Sequence, residues 1–513
     1  MNVTGKGRRK KMHFTNVFDL FNRDNIGLLL FGGLIVFLAF VLPSIGGKKD
    51  VTKISESKKR AMYPKIPNEL LSSKAEGLIL GRKGNKYVRI PIERKNIMNS
   101  VIIGSPGSGK SAGPFLTTLI SNFMQKEPKL TVFVLDIKPE LCRKSILKAD
   151  NTNIKIVNFT DRESCGWDPY YGLSEHSSED EKVRVFDGIV RALIVSSNPK
   201  DAFFVNNARN VTKGLLLYHY NKGEGFIDSI NAIISNNIMA HISDALADEK
   251  YCPKSSTVYS FLKKYADKDS EAFQDVELTI TEHLNIFLNN DVQYHMRDNP
   301  QKASPEDLNN CTSVFICLPL FLLDEFGDIL RLITYQVCTA MQSRGEDWKS
   351  PVLMLIDELA RLGKIESLTS LLSVGRSNGI SVNMAFQDMS QLKSVYTKDS
   401  ARTIFNLSEI TCILSCKDNE TAKMLSDLTG EYREEKISRN RSALLHEGDG
   451  KQHVSEEYRR ILDASDFQNL RKKQETILIV EGKYYRVKQL RYYQDKILNK
   501  RYEEIMREQG KEV

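Results

Sequence analysis

Residues 101 to 111 read Val-Ile-Ile-Gly-Ser-Pro-Gly-Ser-Gly-Lys-Ser, and this stretch limits what the chain can fold into more than any other. An apolar strand runs into Gly104. A loop turns through Ser105, Pro106, Gly107, Ser108 and Gly109, and a helix starts near Lys110 and Ser111. The glycines let the backbone wrap closely round an oxyanion, so that successive N–H groups face it, and the helix adds the positive end of its dipole. Such a P-loop holds a nucleoside triphosphate, with Lys110 at the β- and γ-phosphates and the Ser111 hydroxyl on Mg²⁺. ATP and Mg²⁺ are the expected cofactors.

The surrounding pattern supplies the context that a P-loop needs. After a helix over about 110–125, Thr131 to Ile137 is a buried apolar strand that meets charge at Asp136, Lys138 and Glu140, and Ile154 to Phe159 is another. Strand and helix alternation implies an α/β fold with a parallel sheet covered on both faces, and ligands at the carboxyl ends of its strands. Past Trp167-Asp168-Pro169 the period changes to that of helices: 179–195, 203–220, 229–247, 257–265 and 272–288. An all-α insertion over 179–300 is expected, dividing a nucleotide-binding domain at 76–178 and 301–490.

Strands resume at Val314 to Pro319. Val352-Leu-Met-Leu-Ile then ends in Asp357-Glu358. In a P-loop enzyme the first carboxylate, Asp357, completes the Mg²⁺ shell with Ser111, and the second, Glu358, polarises the attacking water. Gln387 closes the next strand, Ile380 to Phe386, where it either senses the γ-phosphate and orients the water or faces solvent. Arg376, on the loop before that strand, is either an ordinary surface residue or an arginine finger reaching a neighbouring subunit's nucleotide. Lys393 and Lys398 read as surface lysines, with DNA contact as the alternative. Ile410 to Leu414 adds a strand, and 477–487 a closing hairpin. Residues 431–456 are charged and aperiodic, as a mobile loop is, and the tail from 489 reads as a solvated polar helix.

The net charge of +8 suggests nucleic acid until it is located. Residues 1–65 hold 13 Lys/Arg against 4 Asp/Glu, a balance of +9, which leaves 60 against 61 for the rest. The body is near neutral, so any nucleic-acid binding there rests on local patches. Within the basic end, 26–45 are twenty residues without a charge, enough at about 1.5 Å per residue to span a hydrocarbon core of about 30 Å. A transmembrane helix is expected there, since a cleaved signal would have a shorter apolar core and an Ala-x-Ala-like site. Residues 1–25 form a basic tail, either a short interfacial helix or disordered, and 46–75 a juxtamembrane linker. ATP is cytosolic, which places the bulk of the chain in the cytoplasm. The eight cysteines are scattered and have no zinc spacing, as buried reduced thiols do.

Taken together these motifs resemble the type IV secretion coupling proteins of the TraG/TraD kind. The carriers are Gly104 to Ser111, Leu135 to Glu140, Trp167 to Pro169, Phe203-Phe204 with Ala208-Arg209, Leu355 to Lys364, Gly375 to Gly379 and Phe386 to Leu392. Asp418, Thr421-Ala422, Gly430, Arg459 to Leu462, Asp466 and Leu470 follow in the same order. The resemblance covers about residues 75 to 490. It implies a RecA-like P-loop NTPase domain, an all-α domain over one end of a homo-hexameric ring, and a membrane anchor. The partners it implies are a relaxase with its single-stranded DNA, or protein cargo, and the secretion channel. Many members have two membrane helices flanking an outer-face domain, whereas this chain has one apolar stretch and no room for that domain. A membrane-tethered double-strand DNA translocase and an ATP-binding receptor without motor activity are the other readings.

Overall fold

The computed structural model describes residues 64–147, 153–195, 201–266, 271–439 and 452–510. The expected tail at 1–25, the apolar stretch at 26–45 and the linker as far as residue 63 lie outside them. Among the described residues no helix is long and apolar enough to cross a membrane.

Among the described residues twelve strands form one sheet. In chain order they are β1 (Leu71–Ser72), β2 (Leu78–Lys83), β3 (Lys86–Ile90), β4 (Ser100–Gly104), β5 (Thr131–Asp136) and β6 (Ile154–Val157). β7 (Ser313–Cys317), β8 (Val352–Ile356), β9 (Ile380–Phe386), β10 (Ile410–Ser415), β11 (Glu475–Val480) and β12 (Lys483–Lys488) follow. Across the sheet the order is β1-β3-β2-β12-β11-β10-β4-β9-β8-β5-β7-β6. From β10 to β6 every neighbour is parallel; from β11 outward to β1 every neighbour is antiparallel. Every residue of β4, β5, β7, β8, β9 and β10 is buried, as continuous apolar runs in a doubly covered sheet must be.

The two-residue period sorts those runs into two cores. Val101, Ile103, Met354 and Ile356 face the cluster built with the helical segment, including Phe186, Ile189, Leu216, Ile230 and Ile280. Ile102, Leu353 and Leu355 face the other, with Leu116, Leu119, Phe123 and Leu498. The helical segment thus shares one continuous core with a face of the sheet. Trp167, at the entrance to it, is fully buried, and its indole N–H donates to Gln336 Oε1 at 2.8 Å while Gln336 Nε2 donates to the Pro169 carbonyl.

Several boundaries differ from the sequence reading. The helix expected over 229–247 is two, Phe226–Ser235 and Ile238–Ala247, because the Asn237 side chain accepts from the Ala240 amide and starts a new helix. The P-loop helix opens with a wide turn over Ser111–Phe115 before the regular Leu116–Phe123, since Pro114 has no N–H to donate to the turn before it. The aperiodic segment 431–456 is not a loop throughout: Glu431–Arg439 pairs antiparallel with Gln452–Arg460. The tail is not a solvated helix either. Lys496–Glu508 buries Leu498, Ile505 and Met506 and packs on the Leu116–Phe123 and Leu141–Ser145 helices. Its apolar positions recur at helical spacing within a polar composition.

Candidate functional site

Four parallel strands end along one edge of the sheet, and each delivers polar residues there: β4 the loop after Gly104, β9 Gln387, β8 Asp357 and Glu358, and β5 Asp136. The pairing fixes their levels. Phe386 is opposite Ile103, so Gln387 lies beside Gly104; Ile356 is opposite both Met384 and Leu135, so Asp357 lies beside Asp136.

The loop has the conformation that the glycines permit. Gly107 and Gly109 have φ of 70° and 99°, the left-handed region where an L side chain is strained, and a Cβ on Gly104 would collide with Ser108 Oγ. The Ser108 amide donates to the Ser105 carbonyl at 3.0 Å, the Ser105 amide donates to Ser415 Oγ at 3.2 Å, and Pro106 and Gly107 are exposed at the tip. Lys110 is buried and folds back over the loop, donating to the Gly104 carbonyl at 2.6 Å. Its Nζ also lies 3.5 Å from Glu358 Oε2. Beside it the Ser111 hydroxyl donates to Asp357 Oδ2 at 2.9 Å.

The two carboxylates after β8 differ in kind. Asp357 is buried, and burial pushes its carboxyl up; the Ser111 hydrogen bond and the Lys110 charge act in the opposite direction. Glu358 has φ 75° and ψ 61°, a left-handed conformation that a non-glycine residue holds at a cost of about 1–3 kcal/mol. Its Oε1 is enclosed and accepts no hydrogen bond. A strained carboxylate with one bare oxygen, held beside a cation, has the lone pair free that a proton acceptor needs. Asp136, also fully buried, is pushed up to about 6 by burial, with the Asp357 charge adding to the rise and the Cys142 and Glu140 amides, at 2.9 and 3.2 Å, opposing it.

Among the described residues no group of three or more His, Cys, Asp or Glu is placed to hold a metal ion. A Mg²⁺ here would be held by the Ser111 hydroxyl and the Asp357 carboxylate, the hard oxygen donors such an ion takes.

Not every residue singled out in the sequence is at this edge. Gln387 is: its amide donates to Gln391 Oε1 at 3.3 Å. Arg376 is not. It precedes β9 and pairs at 3.0 Å with Glu409, which precedes β10 and also accepts the Asn99 amide before β4. That is the opposite end of the sheet, about 20 Å from the P-loop at roughly 3.3 Å per strand residue. In this chain Arg376 is half-exposed and not part of its own loop's surroundings. Lys393 pairs with Glu420.

Three neighbours of the loop were absent from the sequence reading. Gln489 Nε2 donates to the Ser108 carbonyl at 2.7 Å, and the side chains of Arg491 and Arg471 lie over Gly109 and Gly107. No local pattern marks them: Arg471 comes from the Ala464–Lys473 helix before β11, and the return through β11 and β12 brings Gln489 and Arg491, the former from 381 residues away.

The family model described as type IV secretory system conjugative DNA transfer matches residues 63–512. The chain is 23% identical over 301 residues to the type IV secretion system-coupling protein VirD4 of Bartonella henselae, covering 56% of this chain and 45% of that protein. It is 21% identical over 419 residues to protein VirD4 of Rhizobium rhizogenes, covering 79% and 60%. The chain thus spans about half the length of these relatives. Among solved structures it is similar to the unbound bacterial conjugative coupling protein TrwB, with TM-score 0.61 and 16% identity over 85% of this chain and 91% of that one. It is similarly close to TrwB in complex with ADP and Mg²⁺, at TM-score 0.60 and 16% identity over the same shares. At these identities the likeness concerns the fold alone, a large mixed α/β architecture.

Proposed function

The chain belongs to the type IV secretory system conjugative DNA transfer family, and from that membership we propose that it is a membrane-anchored ATPase. It couples relaxase-bound single-stranded DNA, or protein cargo, to a secretion channel and drives transfer by hydrolysing ATP. One observation carries the reading: Lys110, Ser111, Asp357 and Glu358 converge at the P-loop edge of the sheet, with Ser111 on Asp357 at 2.9 Å and Glu358 at 3.5 Å from Lys110.

The roles follow from chemistry. The amides from Gly104 to Ser111 cradle the phosphates and Lys110 neutralises the β- and γ-oxygens. Ser111 and Asp357 would hold Mg²⁺, which would supply charge compensation for the transferring group. Glu358 accepts a proton from the attacking water through its bare oxygen, and Gln387 orients that water or the γ-phosphate from the next strand end. Arg376, half-exposed and paired with Glu409 at the opposite end of the sheet, would exchange that partner to serve a neighbouring subunit in a homo-hexamer as an arginine finger. Residues 26–45 anchor the chain in the cell membrane with the bulk in the cytoplasm, and 179–300 is the docking region for the relaxase complex.

The strained Glu358 speaks against a receptor that binds ATP without turnover, because a receptor gains nothing from that conformation. The test is single-turnover hydrolysis by the full chain and by Glu358→Gln. Loss of hydrolysis with retained ATP binding supports the motor reading; equal hydrolysis in both would remove the proton acceptor and favour the receptor.

A further inference from the structure

The segment that follows β12 runs along the P-loop. Gln489 Nε2 donates to the Ser108 carbonyl at 2.7 Å, and a Cβ on Gly113 would lie 3.1 Å from the Leu490 carbonyl oxygen. A Cβ on Gly109 would lie 3.0 Å from Arg491 Nε and 3.5 Å from Gln489 Nε2. Arg491 Nε is enclosed and donates to no atom, while its Nη1 donates to the half-exposed Tyr493 hydroxyl at 2.7 Å. A guanidinium with an enclosed, unused donor therefore lies against the last glycine before Lys110. A bulkier residue at position 109 would meet it.

We propose that Arg491 is a nucleotide-contacting residue, supplied by the C-terminal segment of the same chain, that binds the α/β-phosphate end of a nucleoside di- or triphosphate. The inference rests on the nucleotide reading of the P-loop. Order along the loop assigns the end: Lys110 serves the β- and γ-phosphates and Ser111 the metal, whereas the glycine amides ahead of them cradle the α- and β-phosphates. The guanidinium's unused N–H is the donor that such an oxygen takes, a charge-assisted bond stronger than a neutral one. Gln489 is a positioning residue: its bond to the Ser108 carbonyl ties the segment to the loop whether or not a ligand is present. Because the contact is made to phosphates that ADP also carries, Arg491 does not distinguish ATP from ADP. Lys110 and Glu358, by contrast, face the γ-phosphate.

The test is calorimetric titration of the full-length protein with ADP·Mg²⁺ and with a non-hydrolysable ATP analogue, for wild type, Arg491→Ala, Arg491→Lys and Lys110→Ala. The dissociation constant of Arg491→Ala is expected to rise about 10-fold or more for both ligands alike, as loss of one charged phosphate contact requires. Arg491→Lys restores part of it, since it keeps the charge without the fork. Unchanged affinity in Arg491→Ala overturns the proposal. So does a loss matched by a lower ligand-free melting temperature that Arg491→Lys does not recover, which marks a merely structural residue. Wild type binding no more tightly than Lys110→Ala would instead remove the nucleotide reading itself, and this inference with it.

Discussion

Lys110 Nζ lies 3.5 Å from Glu358 Oε2 and donates to the Gly104 carbonyl at 2.6 Å, so the cation of the P-loop is held between its own loop and the carboxylate after β8. Both side chains are buried, at 9% and 5% exposure. A buried pair of this kind is costly to break from one side, because the remaining charge stays in a low dielectric. On the proposed function, a phosphate entering the loop would replace Glu358 as the partner of Lys110 and leave that carboxylate to take a proton from water.

Glu358→Gln is therefore expected to lower the turnover number by about 10²–10⁴-fold, the usual size of a general-base contribution. Nucleotide affinity stays at or above the wild-type level, since a neutral amide no longer competes for Lys110. Rapid-quench hydrolysis beside equilibrium binding measures both; loss of binding with loss of turnover would show that Glu358 only holds Lys110 in place.

Ser111→Ala removes the hydroxyl that bonds Asp357 at 2.9 Å. If both are Mg²⁺ ligands, the Mg²⁺ concentration for half-maximal hydrolysis rises roughly tenfold, about 1.4 kcal/mol for one lost oxygen donor. An unchanged Mg²⁺ dependence would confine the pair to a structural role.

Asp136 gives a pH dependence of defined sign. Its carboxyl is pushed up to about 6 by burial, against about 3.9 in an unfolded chain. The folded state therefore holds more protons between those values, and stability from this group is greatest below pH 4 and declines as pH rises through 6, by about 2–3 kcal/mol in all. In Asp136→Asn that decline is absent. Thermal melts of both proteins from pH 4.5 to 7.5 check it: the melting temperature of the variant should gain on that of wild type as pH rises, and parallel curves would contradict the shift.

The C-terminal helix is part of the core. Leu498 is 1% exposed and belongs to the cluster with Leu116, Leu119 and Phe123, beneath the P-loop helix. Leu498→Ala is expected to destabilise the protein by about 2–5 kcal/mol, the range for a buried leucine. Chemical denaturation measures it, and a change under about 0.5 kcal/mol, the range of a surface substitution, would mean the helix is only loosely attached.

What the sequence made legible was local. An apolar run ending in Gly104 or in Asp357-Glu358 carries its own strand, its burial and its polar end, so the two halves of the site could be read 246 residues apart. Gln387 was placed by the same rule. The left-handed backbone of Glu358 was not legible, since no residue type there demands it. Nor were Gln489 and Arg491, which reach the loop through the antiparallel return of the chain, or Arg471, which reaches it from the helix before that return. The polar composition of Lys496–Glu508 hid a stripe of Leu498, Ile505 and Met506 that the helical period alone would have revealed. At Arg376 the sequence marked a loop arginine, but which end of the sheet it occupies depends on strand direction.

The decisive measurement is steady-state ATP turnover by the purified full-length protein, titrated with single-stranded and double-stranded DNA and with Lys110→Ala as the blank. A coupling motor is expected to hydrolyse ATP several-fold faster with single strands than without, to respond less to duplex, and to lose all of this in Lys110→Ala. Turnover equal to that of Lys110→Ala, with and without DNA, would contradict a DNA-transfer ATPase built on this loop.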